Sequence, residues 1–140
     1  MKEKLLISAC LLGVPCRYDG KSKICEGAMA LSGTYEVVPF CPECYGGLPT
    51  PRVPAEIQGD RVVAKDGRDV TTEYQRGAES ALSLCHALGI RSACLKARSP
   101  SCGVGQIYDG TFSGKLVPGD GVAARYLKEN GITVFTEEDL

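Results

Sequence analysis

At 140 residues the chain is expected to form one domain, 1–140, with a real hydrophobic core. Its 16 basic and 17 acidic residues form no basic stripe, which excludes a duplex nucleic-acid surface, and no apolar run is long enough to span a membrane. Eight cysteines in a chain with a core, and with too few apolar residues before Cys10 for a signal peptide, exclude a small secreted disulfide scaffold and point to a reducing cytoplasm.

Residues 4–9 read as a short buried strand. Leu12 to Lys23 is a loop with Gly13, Pro15, Asp19 and Gly20. Ser22 is placed to cap a helix in which Ile24, Ala28 and Leu31 recur, and Gly33 ends it. Tyr35 to Phe40 is the second strand. Residues 39–54 hold five of the eight prolines and should form a stiff loop. Ile57 to Val70 alternates around Gly59-Asp60 and Asp66-Gly67, the pattern of a small hairpin. Thr71 is the expected cap of a long helix to about Leu88, stopped by Gly89, with Tyr74, Ala78, Ala81, Leu82, Cys85 and Leu88 on its apolar face. Ile90 to Lys96 is the third main strand, and Arg98 to Pro118 is loop-rich. A helix carries Val122, Ala123, Tyr126 and Leu127 inward, Asn130-Gly131 ends it, and Ile132 to Phe135 is the last strand. The β–α–β alternation predicts an α/β fold: a mostly parallel, Rossmann-like sheet flanked by helices, with a small β-hairpin insertion.

Three cysteines stand at or just beyond the ends of expected strands: Cys10, Cys41 and Cys102. In an open parallel sheet, ligands bind outside the carboxyl ends of the strands. The three thiols are therefore expected to converge within reach of one metal-sized site. Three thiolates with a free corner suit an iron–sulfur cluster or an open metal site. Cys41-Pro42-Glu43-Cys44 is a CxxC, but no second one exists to make a zinc ribbon. A thioredoxin-like pair would begin a helix, which the following prolines argue against. Cys25, Cys85 and Cys94 fall inside regular elements, where buried thiols pack.

Glu43, beside Cys41, suits a general base or a loop carboxylate bonded to backbone N–H groups. Asp19 reads as a turn residue or a substrate contact. Lys96, Arg98 and Arg52 can meet substrate oxygens or solvent. The lone His86 reads as packing or surface. No dinucleotide or P-loop fingerprint is present.

Several motifs occur together: Ser8-Ala9-Cys10-Leu11-Leu12-Gly13, Cys16-Arg17-Tyr18-Asp19-Gly20, Cys41-Pro42-Glu43, and Gly46-Gly47-Leu48-Pro49-Thr50-Pro51-Arg52. Asp69-Val70-Thr71, Ser99-Pro100-Ser101-Cys102-Gly103 and Ile107-Tyr108-Asp109-Gly110-Thr111-Phe112 complete them. With these the chain resembles the bacterial thiouracil desulfidase family over essentially its whole length. The resemblance implies a [4Fe-4S] cluster held by Cys10, Cys41 and Cys102, with the fourth iron open as a Lewis acid. It also marks Glu43 and a serine of the Ser99-Pro100-Ser101 run, preferably Ser101, as catalytic groups. Asp19, Arg52, Lys96 and Ser99 are candidate substrate contacts. The implied activity is non-redox desulfuration of a small thiolated pyrimidine to its oxo form and hydrogen sulfide. The alternatives are a cluster- or sulfide-binding carrier and a structural zinc protein.

Overall fold

In the computed structural model, which describes residues 2–140, the chain begins with β1 (Glu3–Ser8), α1 (Glu26–Ala30), β2 (Tyr35–Phe40) and a one-turn helix α2 (Pro42–Tyr45). It continues through β3 (Ala55–Gln58), β4 (Arg61–Ala64) and the long helix α3 (Thr71–Leu88). It closes with β5 (Ser92–Leu95), β6 (Gln106–Tyr108), β7 (Leu116–Pro118), α4 (Val122–Glu129) and β8 (Thr133–Thr136).

Leu5-Leu6-Ile7 is buried on both faces of β1, as an interior parallel strand must be. The four main strands lie in the order β2-β1-β5-β8, and every pairing is parallel. Pro39 sits in β2, which is an edge strand, so the missing N–H costs no interior ladder bond. Leu6 faces Ala81, Leu82 and Cys85 of α3 and Leu127 of α4 in one core. Leu5 and Ile7 face Leu11, Ala28 and Cys94 in another. The strand order reverses direction between β1 and β5, and at such a switch point the loops after the strands leave a crevice.

The predicted α/β layering is therefore present, and so is the hairpin insertion, β3–β4, turning at Gly59-Asp60. Four local expectations are corrected. The first helix starts at Glu26 rather than after Ser22, and Ile24 is 59% exposed outside it. Thr71 does not cap α3; its Oγ1 accepts the Val62 N–H at 2.8 Å, and Val70 holds the N-cap position. The loop-rich stretch after β5 contains a second antiparallel pair, β6–β7. Finally, the proline-rich segment does hold a helix. Cys41 is the N-cap of α2 and Pro42 its first residue, the one helical position where the missing N–H of proline is harmless.

Candidate active site

Cys10 lies in the 3-10 turn Ala9–Leu12 that follows β1, Cys41 directly follows β2, and Cys102 lies in the loop after β5. The Cys10 carbonyl accepts the Lys23 N–H at 2.9 Å, which ties the long loop down beside it. Cys102 is fixed from the other direction. The Cys102 and Ser101 N–H groups both donate to Ser99 Oγ at 3.1 Å, and the Pro100 and Ser101 carbonyls accept the first N–H groups of α4. Gly121 makes this docking possible, since a Cβ there would overlap the backbone of Ser101. All three cysteines line one cavity of about 450 Å³.

Among the described residues, no three Cys, His, Asp or Glu side chains stand close enough together to hold a single metal ion. The expected metal-sized convergence is thus corrected: the thiols edge a wider space. Burial, then Glu43, pushes the Cys102 thiol up to about 12. Cys16, unassigned in the sequence, lies between Cys10 and Cys41. Its thiol rises to about 11 through its contact with Cys10, which Cys41 partly offsets. Cys41 is raised strongly by its contact with Cys16, then by burial and Glu43. Buried thiolates beside a carboxylate need a cation. Thiolates are the donors of iron–sulfur clusters, a cluster is wider than one ion, and loading releases the thiol protons. The donor set fits such a cluster.

Glu43 occupies the first turn of α2 and is 8% exposed. Ser101 Oγ donates to Glu43 Oε1 at 2.6 Å, and Arg52 Nη2 lies 3.7 Å from Glu43 Oε2. Cys41 Sγ is 4.0 Å from the same Oε1. Ser101 is fully buried and sits behind the cavity lining, whereas Ser99 is part of that lining. Because Ser99 Oγ accepts two backbone N–H groups, its own hydrogen is free for Ser101 Oγ, 3.0 Å away. The result is a hydroxyl chain from the cavity wall to a buried carboxylate.

Arg52 Nη1 donates to the Cys16 carbonyl at 3.1 Å, the Thr50 hydroxyl at 3.2 Å and the Pro49 carbonyl at 3.4 Å. Burial alone would lower the guanidinium, but Glu43 and Cys41 outweigh it and raise it. This side chain braces Glu43 and the loop after Cys10. Lys96 reaches the cavity with its Nζ paired to Glu137 at 3.1 Å. Asp19 is not brought in: it is exposed and accepts the Lys21 N–H at 3.0 Å within its own turn.

The cavity also includes Tyr74, Tyr108, Phe112 and Glu56, which sequence patterns did not single out. Tyr74 follows the helical period of core residues, so nothing marks it as facing a site. Tyr108 and Phe112 lie in a motif whose residues resemble an ordinary turn.

A family model described as 2-thiouracil desulfurase matches residues 5–139. A solved structure described as a [4Fe-4S]-dependent thiouracil desulfidase, TudS, is 54% identical, with a TM-score of 0.94; the match covers 99% of this chain and 93% of that one. The uncharacterized protein YbbK of Bacillus subtilis (strain 168) is 41% identical, over 97% of each chain.

Proposed function

The chain belongs to the 2-thiouracil desulfurase family, and from that premise we propose that it is a [4Fe-4S]-dependent enzyme that hydrolyses a thiolated pyrimidine to its oxo form and hydrogen sulfide. The observation that carries this is the chain Glu43–Ser101–Ser99 set beside three thiols on one cavity. Cys10, Cys41 and Cys102 are the residues that would hold the cluster. When bound, the cluster supplies a Lewis acid for the thione sulfur, leaving the ring carbon electron-poor.

Glu43 takes a proton from water as it attacks that carbon. Arg52 and Ser101 hold the carboxylate in place, and each oxygen keeps a lone pair for the water. Glu43 then gives that proton to the leaving sulfur, while Ser99 Oγ, with both lone pairs on backbone N–H groups, holds Ser101 in place. Ser101 is thus a positioning residue rather than a direct contact. Lys96, on the cavity lining, contacts the substrate, whereas the Ser99 hydroxyl is fully engaged within its own loop. The balance is C=S plus water to C=O plus hydrogen sulfide, with no net electron transfer.

A sulfide carrier would have no use for this hydroxyl–carboxylate chain. A structural zinc protein would bring its ligands to single-ion spacing. We place the enzyme in a reducing cytoplasm, in keeping with eight free cysteines; no helix of the described residues is long and apolar enough to cross a membrane.

Anaerobic reconstitution should give brown protein with about four irons per chain, and it should release uracil and sulfide from 2-thiouracil. Cys10→Ser, Cys41→Ser and Cys102→Ser should each lose the colour, whereas Cys85→Ser should keep it. Full cluster occupancy in Cys102→Ser would remove that ligand. Loaded wild-type protein that forms no uracil would refute the activity.

A further inference from the structure

The motif Ile107 to Phe112 takes no part in the chemistry above, yet its backbone is held from several directions. Asp109 Oδ1 closes the turn after β6, accepting the Thr111 N–H at 2.9 Å and the Thr111 hydroxyl at 2.6 Å. Gly110 has φ 95°, and a Cβ there would meet the Ile57 carbonyl at 2.7 Å. Gln58 Nε2 donates to the Gly110 carbonyl at 2.8 Å. Glu56 Oε1 accepts two N–H groups, from Gly110 at 2.9 Å and from Phe112 at 3.1 Å. Phe112 itself has φ 56°, a left-handed conformation that a bulky side chain rarely adopts.

Such strain persists only where the surroundings over-determine it, and it concentrates at ligand sites. Here the β3–β4 hairpin supplies the determination through Glu56 and Gln58. What it fixes is an aromatic residue of the cavity lining, to which Tyr108 also belongs. A planar heteroaromatic ring presents a π face whatever its substituents, and an aromatic side chain matches that face.

We propose that Phe112, with Tyr108, is the stacking wall for the substrate ring, and that Glu56 is the positioning residue that holds Phe112 there. The inference rests on the desulfidase function and deepens it: the substrate is recognised by its planar ring face as well as by its sulfur. The insertion hairpin then serves as a bracket for the substrate site.

The test uses anaerobic holoenzyme, with KM and kcat for 2-thiouracil and a calorimetric Kd for uracil. Phe112→Ala should raise KM and Kd by about tenfold or more, with wild-type iron content and the larger loss in KM rather than kcat. Phe112→Leu, which keeps bulk but no ring face, should move both constants the same way, so the result does not depend on the alanine variant folding. Phe112→Tyr should restore them. Glu56→Ala should copy Phe112→Ala, whereas Glu56→Gln should not, because its amide oxygen accepts the same two N–H groups. Wild-type KM and Kd in Phe112→Ala or Phe112→Leu, beside active wild type, overturn this inference alone. Wild-type holoenzyme that neither converts 2-thiouracil nor binds uracil overturns the desulfidase function and this inference together.

Discussion

A buried carboxylate is costly unless its oxygens find partners. Glu43 has them in Ser101 at 2.6 Å and Arg52 at 3.7 Å. Glu43→Gln keeps the shape and the serine contact but removes the base. It should therefore retain the visible absorption of the cluster and lose about 10²–10⁴-fold in kcat. Near-wild-type turnover with an intact cluster would remove Glu43 from the mechanism. A different thiol shows what burial alone does. Cys85, in α3, is pushed up to about 11 by burial, against 9.0 when unperturbed. The folded state therefore holds its proton where the unfolded chain has lost it, so stability falls as pH rises from about 9 through 11. Cys85→Ala should show a shallower loss over that window in denaturant titrations. A slope equal to wild type would contradict the assignment.

At the scale of elements, α2 is the piece that positions Glu43, and its seat is made by absence of side chains. A Cβ on Gly77 of α3 would overlap the Pro42 carbonyl, and one on Gly46 would overlap the Glu73 carbonyl. Phe40 and Tyr45 stack at 4.3 Å and hold α2 to β2. Gly77→Ala gains about 1 kcal/mol of helix propensity, but the forced overlap costs about 1–3 kcal/mol. It should lower the melting temperature and reduce kcat by displacing Glu43. A higher melting temperature with unchanged kcat would show that the close approach does not matter. This element was hidden in the sequence. Five prolines between residues 39 and 54 suggest loop, and only the position of Pro42 directly after an N-cap allows a helical turn. The main strands were legible because parallel strands are continuous apolar runs, as Leu5-Leu6-Ile7 shows. The three cysteines were legible because strand ends are. Ser101 was legible only by resemblance, and its burial behind Ser99 depends on how α4 docks on that loop. Phe112 was not legible, because its conformation is imposed by Glu56 from a hairpin more than fifty residues away.

At the scale of the whole molecule, Cys10, Cys41, Cys102, Glu43, Tyr108 and Phe112 all line one cavity. Loading with iron and sulfide must displace protons from thiols held up by burial and by one another, so assembly should be favoured as pH rises. Reconstitution at pH 6 should give slower and less complete colour than at pH 8. Equal loading at both would mean that the thiols are already ionised. The central claim is that sulfur leaves by hydrolysis with no net electron transfer. It is tested most directly by anaerobic turnover of 2-thiouracil in ¹⁸O-labelled water without added reductant. The expected result is one singly labelled uracil and one sulfide for each thiouracil consumed. Unlabelled uracil, or sulfide released only when a reductant is supplied, would contradict it.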